Sequence, residues 1–579
     1  MAISKKKITN IDGLKYNGKT LSSNADKAAG LNDFFSNIGK MVEQKIPKTQ
    51  TKFDQYLTNP NPQNIIHKEC TDIEIIEIIR NLQNSKATGP NSIPTNLLKI
   101  ASPIIVPILT SLINKSLNQG VFPSILKFAD VCPIFKKNDP EKCENYRPIS
   151  LLSNLGKIFE KVMYSRVSDF LENCNILYER QFGFRKGHST NHALISIVEE
   201  IRKNLDNGLF TCGIFVDLEK AFDTVNHGIL VKKLEHYGIN GPYNNWIKSY
   251  LSKRSQCVTL NGEKSKKLTI TCGVPQGSVL GPLLFLIYIN DMNKALSKST
   301  VHHFADDTNL LSSSKKLNSL RKIMNEELKL LFDWLCANRL SLNVAKTEFL
   351  IFRPQKKLNN KIKLRLNDTT IRESTKIKYL GLLLDGNLSW NSHLTELSKK
   401  LSCAVGMLHK MKNLCSTETL KSIYYALFHA HLSYGISVWG LSKYTAKICL
   451  LQKRAIRAIS KADFLAHTGP LFKELKILKL SDQYLVNLAS LMWDYDHEEN
   501  PSSLNILFKK PSHSHNTRFL ERGKLTPYNF HTRKFGTLSL RCDGTRVLND
   551  LKDSSIYTRS VSKTSFIKKF KEQIFGDYL

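Results

Sequence analysis

The apolar, strand-like run at positions 301–311 is interrupted by two adjacent carboxylates, Asp306 and Asp307, and that pair restricts what the segment can become. Successive strand residues point to opposite faces, so both acids can serve one site only where the chain turns. A strand, a tight turn and a second strand are therefore expected, with Asp306-Asp307 at the hairpin tip. Another acid, Asp217, closes the apolar Phe215-Val216, 89 positions before Asp306. An unpaired carboxylate buried among apolar side chains is costly, so acids carried on buried strands are expected to shift their pKa, pair with a base or hold a metal ion. The bland alternative is a solvated Asp-Asp turn. Hard oxygen donors with no His or Cys ligand pattern nearby favour Mg²⁺, with Mn²⁺ as a substitute, and phosphate groups as the remaining ligands. Two such ions could clamp the attacking and leaving oxygens of an in-line displacement, which points to phosphoryl or nucleotidyl transfer.

The chain has 579 residues, enough for several domains. Lys and Arg outnumber Asp and Glu by 84 to 50, a formal charge of +34, while the 41% hydrophobic content is ordinary for a folded protein. A folded, strongly basic chain implies a polyanionic partner, and without a basic amphipathic anchor or lipidation motif we expect nucleic acid and not a membrane. The excess persists to the end: positions 501–579 hold 15 basic and 6 acidic residues. The 12 cysteines include no C-x-x-C pair and read as reduced, mostly structural thiols. The longest apolar stretches, near 103–113 and 279–289, read as too short to span a bilayer, and the start carries no apolar signal core, so an intracellular protein is expected.

Helical spacing of Ala28, Leu31, Phe35, Ile38 and Val42 predicts an amphipathic helix within 21–47, after the cap-competent Ser23 and Asn24. A linker is expected at 49–63, a helix at 73–82, and a fixed loop at 86–94, which is rich in Gly and Pro. From 131 to 379 strand-like runs alternate with longer helical ones, the pattern of a mixed α/β domain. Beyond Trp390 the pattern turns helical. Leu394, Leu397, Leu401, Val405, Leu408 and Met411 form one stripe, a second helix follows Ser416, and a third near 450–459 sets Arg454, Arg457 and Lys461 opposite an apolar side, where they could track a phosphate backbone or be solvated. After an acidic break at 494–503 the tail reads as basic and irregular, with only short strand or helix candidates.

The runs Phe215-Val216-Asp217-Leu218-Glu219-Lys220-Ala221-Phe222-Asp223 and Phe304-Ala305-Asp306-Asp307 resemble the palm signatures of reverse transcriptases. The wider series resembles jockey-like, LINE-type non-LTR retrotransposons: Tyr146-Arg147-Pro148-Ile149-Ser150, Gln181-Phe182-Gly183-Phe184-Arg185, Gly273-Val274-Pro275-Gln276-Gly277-Ser278, positions 343–347, Tyr379-Leu380-Gly381, Tyr434-Gly435, Val438-Trp439-Gly440 and Leu451-Gln452-Lys453-Arg454 follow in the family's order. Departures are mild: Glu219 replaces a more usual serine, Thr88 and Asn91-Ser92 alter the 86–92 loop, and a late Gly-Pro-x-x-Trp-Asn motif is faint at 544–551.

The resemblance implies an α/β (α+β) right-hand polymerase with a mixed or antiparallel sheet: an N-terminal extension at 1–69, fingers and palm at 70–390, a helical thumb at 391–465 and a basic C-terminal region at 466–579. It implies RNA-directed DNA synthesis from a DNA 3′-hydroxyl, with an RNA template, a DNA primer or target and deoxynucleoside triphosphates as partners, and a nuclear or ribonucleoprotein setting. The alternative is a non-catalytic nucleic-acid-binding remnant or domesticated protein. By the resemblance, Asp217, Asp306 and Asp307 would hold two Mg²⁺ ions, while Asp223 is given a structural role such as a cap or salt bridge. Phe222 would be a steric gate against a ribose 2′-hydroxyl, or else core. Gln276 would be a polar reader, Arg147, Lys136 and Lys137 grips for the triphosphate, and Lys346 a proton donor to pyrophosphate or a simple phosphate contact. Gln181 to Arg185 reads as a template-side loop with Arg185 on the backbone. Trp390 and Trp439 read as packing aromatics. Full elements of this kind carry an endonuclease before the polymerase, so this chain is expected to lack one. His513 and His515 in the tail do not suggest a nuclease centre.

Overall fold

The computed structural model describes residues 11, 13–84, 89, 93–354, 362–366, 368–510 and 523–578. Most of the 86–94 loop and the tail segment with His513 and His515 lie outside them. The chain divides into two compact units, one of residues 1–178, 217–297 and 328–343, the other of residues 179–216, 298–327 and 344–579.

In the first unit a five-stranded sheet runs in the order Tyr146–Leu151, Phe128–Phe135, Arg254–Leu260, Glu263–Lys264, with Leu268–Ile270 also on Arg254–Leu260. The helix Asn24–Glu43 forms where periodicity predicts it, and the Ser23 hydroxyl caps it by accepting the Asp26 N–H at 3.1 Å. Its Leu31, Phe34, Phe35 and Ile38 bury against Val131, Tyr146, Val258 and Leu260 of the sheet. The helix expected at 73–82 runs Asp72–Arg80 behind the cap Thr71.

The apolar stretch near 103–113 corrects an expectation. It lies inside a 25-residue helix, Thr95–Gln119, which continues through Pro103 and Pro107 and stops at Gly120 in the left-handed conformation (φ 64°). By length and composition this helix could cross a membrane. The expectation failed because the helix extends through polar residues that interrupt the apolar run on both sides.

The second unit holds a six-stranded sheet ordered Leu364–Leu366, Thr369–Glu373, Glu348–Phe352, Phe210–Val216, Asp307–Ser314, Thr300–Phe304. Among the strand pairs of the described residues in this sheet, Glu348–Phe352 with Thr369–Glu373 is parallel and the others are antiparallel. With the other unit's sheet this makes the mixed α/β protein that the pattern foretold. The helix Thr190–Asp206 and the stripe Leu394, Leu397, Leu401, Val405 and Leu408 of helix Asn391–Met411 enter one continuous core. Trp390 and Trp439 are buried in that core as packing aromatics.

The tail is more ordered than its sequence suggests, with 14-residue helices at Leu540–Asp553 and Lys563–Gly576. Leu540, Val547, Leu548 and Leu551 of the first join the same core. They were masked by buried polar neighbours: Arg541 is 5% exposed because its Nε meets the Glu199 carboxylate at 3.4 Å.

Candidate active site

The central strand of the second unit orders the acidic residues. Phe210–Val216 pairs antiparallel with Asp307–Ser314 on one side, Val216 opposite Thr308, and with Glu348–Phe352 on the other, Phe215 opposite Glu348. Both neighbours therefore begin at the end where the central strand stops. Chain connectivity then delivers three residues to that end: Asp217 directly after Val216, Asp307 directly before Thr308, and Lys346 two positions before Glu348. The strand interiors are buried, which holds this edge in register.

A strand, tight turn and strand form as expected, but the tip is one residue earlier than Asp306-Asp307. Phe304 pairs with Asp307, leaving Ala305 and Asp306 as a two-residue loop. Ala305 carries φ of 57°, a conformation that favours glycine. Burial of the acids, however, is overturned: Asp306 and Asp307 are exposed and Asp217 is partly exposed. The apolar run belongs to the strands, and the acids sit where the chain leaves them. Their presence is thus explained by position and not by desolvation. Among the described residues no group of three or more His, Cys, Asp or Glu is placed to hold a metal ion, so Asp217, Asp306 and Asp307 are not gathered into one ligand cluster. Exposed carboxylates at a strand end suit Mg²⁺, which keeps waters and substrate phosphates and needs only one or two protein carboxylates.

Within the first unit, residues 217–223 and 273–281 are built together. The Asp217 carbonyl accepts from Asn343 N–H at 2.9 Å, and Glu219 N–H donates to Ser341 at 2.9 Å. Val274 N–H donates to the Phe222 carbonyl and Gly273 N–H to that of Val225, both at 2.8 Å. A Cβ on Gly273 would stand 2.7 Å from the Asp223 carbonyl oxygen, so only glycine allows this approach, and its φ of 81° agrees. The Phe222 ring is partly exposed and stacks on buried Phe285, with centroids 4.5 Å apart and planes at 29°. Phe285 lies on the buried helix Leu280–Ile289.

Asp223 plays a structural part different from the cap or salt bridge expected. Its two carboxylate oxygens accept from Gln276 Nε2 at 2.8 and 2.9 Å. Burial raises its pKa to about 6, against the opposing pull of those hydrogen bonds and of the Lys220 charge. Gln276 is also tied through its carbonyl, which accepts Ser150 N–H at 2.7 Å. Arg147 lies exposed on the strand Tyr146–Leu151, opposite Ile134, and Lys136 and Lys137 are exposed just past the partner strand Phe128–Phe135. Lys136 N–H donates to the Asn145 carbonyl at 2.9 Å, so the three cations share one hairpin.

Sequence reasoning missed Glu160. It is 1% exposed and accepts Val279 N–H at 2.6 Å and Leu280 N–H at 3.3 Å, so it caps the start of the helix Leu280–Ile289 together with the Ser278 hydroxyl, which accepts Gly281 N–H at 2.9 Å. Burial pushes its pKa up. Its signal was a lone acid within Ile158-Phe159-Glu160-Lys161-Val162-Met163.

In the second unit, the 181–185 loop is turned inward at its start: Gln181, Phe182 and Gly183 are buried, while Phe184 (φ 56°) is exposed and Arg185 Nη1 donates to the Gln181 carbonyl at 3.2 Å. Of the helix Ala446–Ile459, Arg454 is exposed, as is Lys461 just beyond it, but Arg457 Nε donates to the Ala466 carbonyl at 2.8 Å and braces the chain that follows.

Residues 134–384 match the family model for reverse transcriptase (RNA-dependent DNA polymerase). The chain therefore carries a reverse transcriptase domain. Among its relatives are RNA-directed DNA polymerases of mobile elements: it is 31% identical over 71% of its length to the probable RNA-directed DNA polymerase from transposon BS, 29% over 75% to the RNA-directed DNA polymerase from mobile element jockey, and 28% over 79% to the probable RNA-directed DNA polymerase from transposon X-element, all of Drosophila melanogaster. The matches cover 47%, 49% and 51% of those proteins, so the chain spans about half the length of the curated relatives it matches.

Proposed function

We propose that this chain extends a DNA 3′-hydroxyl on an RNA template with deoxynucleoside triphosphates. The observation that carries the reading is the shared strand end to which Asp217, the Asp306-Asp307 turn and Lys346 are delivered. Asp217, Asp306 and Asp307 would hold two Mg²⁺ ions, which lower the pKa of the attacking hydroxyl and neutralise departing pyrophosphate. Lys346, exposed on its loop, offers an ammonium proton or a phosphate contact to the leaving group. Arg147 suits the triphosphate because its planar fork binds phosphate oxygens in pairs, with Lys136 and Lys137 adding point charges beside it. Gln276, oriented by Asp223, presents the glycine-rich loop to the incoming nucleotide, and the Phe222 ring occupies the place from which a ribose 2′-hydroxyl is refused.

The test is extension of a DNA primer on an RNA template with Mg²⁺ or Mn²⁺. Activity is expected in the wild type and loss of it in Asp217→Asn and Asp306→Asn. A folded wild type that binds primer–template yet fails with both metals would instead be a non-catalytic binding remnant.

A further inference from the structure

The Asp306-Asp307 turn is held by a side chain that the proposed chemistry does not use. Gln181 is 3% exposed, and its Oε1 accepts two backbone N–H groups, from Ala305 at 3.1 Å and from Gly183 at 3.0 Å. Ala305 is the residue held at positive φ, and such conformations persist only when their surroundings impose them. The backbone on either side completes the grip. Phe182 N–H donates to the His303 carbonyl at 2.9 Å and His303 N–H to the Arg180 carbonyl at 3.0 Å, so residues 180–182 add a short parallel bridge to Thr300–Phe304, the edge strand of the sheet. Gly183 lies directly on the turn: a Cβ there would stand 2.5 Å from the Ala305 nitrogen and 2.9 Å from the Phe304 carbonyl carbon.

We propose that Gln181 is a positioning residue of the active site, which fixes the Ala305-Asp306 turn and hence the carboxylates that follow from it, and that it does not contact template. The inference rests on the polymerase reading above. A group buried to this degree cannot reach a nucleic acid, and its acceptor oxygen is already shared by two donors. Asp306 on the two-residue turn and Asp307 directly after it inherit the turn's geometry, and misplacing a reacting group by about 1 Å can cost on the order of a hundredfold in rate.

The experiment compares Gln181→Leu, Gln181→Glu and Gly183→Ala with the wild type in the full chain. It follows hydrogen–deuterium exchange over 300–311, primer–template affinity, and kcat and KM for deoxynucleotide. For Gln181→Leu we expect faster exchange at the turn and a loss of about tenfold or more in kcat, with affinity and KM nearly unchanged. Gln181→Glu keeps an acceptor oxygen and should recover most of kcat. Gly183→Ala should repeat the Leu phenotype by pushing the turn directly, and it decides the matter if Gln181→Leu does not fold. Unchanged exchange at the turn, unchanged kcat in folded variants, or a loss confined to primer–template affinity would each overturn the proposal. An inactive wild type would refute the polymerase reading alone, because the exchange comparison needs no turnover.

Discussion

If the chain polymerises as proposed, replacing Phe222 with valine should open it to ribonucleotides at a stability cost it can survive. The ring is partly exposed and one face stacks on Phe285. Truncating a fully packed Phe to Ala costs about 3–5 kcal/mol, so a half-buried ring cut only to Val should cost roughly 1–2, plus about 0.5–1.5 for the lost stack. A total of about 1.5–3.5 kcal/mol is a large part of a typical folding free energy, yet leaves folded protein to assay. Selectivity has a different magnitude. If the ring excludes the 2′-hydroxyl, removing the clash should lower the deoxy-to-ribo ratio of kcat/KM by at least about tenfold, equivalent to 1.4 kcal/mol. Phe285→Leu separates the two effects, since it removes the stacking partner and leaves the gate present but looser. Its ratio should fall less than that of Phe222→Val. The assay is single-nucleotide incorporation on a fixed primer–template, with folding monitored by thermal melting. A ratio that stays within about twofold of wild type in folded Phe222→Val would make Phe222 a core residue and refute the reasoning.

Asp223 gives a pH dependence of opposite sign for stability and for substrate use. Its folded pKa of about 6 lies above the usual carboxylate value, so its contribution to stability is greatest below that unfolded value and is lost as pH rises through about 6. Below pH 6 the protonated carboxyl loses an acceptor for Gln276, so KM for deoxynucleotide should rise as pH falls; Asp223→Asn should flatten this limb, and an identical profile in the variant would sink the assignment. Lys233 and Asp291 form a fully buried ion pair, with Lys233 Nζ also donating to the Tyr288 carbonyl at 2.6 Å. Lys233→Met strands the carboxylate and should cost about 3–5 kcal/mol in urea unfolding, a loss partly relieved by adding Asp291→Asn; a single-variant loss under about 1 kcal/mol would contradict this. If exposed Arg454 meets phosphate, Arg454→Ala should reduce the log–log salt slope of primer–template binding by about 0.7–0.9, whereas Arg457→Ala should lower the melting temperature by freeing the Ala466 carbonyl. Equal slopes for Arg454→Ala and wild type would remove that residue from the nucleic-acid surface.

What the sequence determined by itself was local. The helix Asn24–Glu43 and its Ser23 cap, the Phe304 to Asp307 turn and the apolar stripe of Asn391–Met411 each follow from signals within a few turns or a few residues, and each was legible before any fold was known. The ordered motifs also made the family legible, and with it the candidate residues. Tertiary structure decided what those residues touch. Register across three strands far apart in sequence brings Asp217, Asp307 and Lys346 to one end, and no local pattern encodes that pairing. The same holds for Gln181, which reads as a polar loop residue until the edge strand Thr300–Phe304 is laid beside it, and for Gln276, whose orientation depends on Asp223. The tail helix Leu540–Asp553 was hidden for the related reason that Arg541 is buried against Glu199, 342 positions earlier. A polar residue signals surface in a sequence because its partner is unseen, and only the folded chain supplies the partner that makes burial affordable.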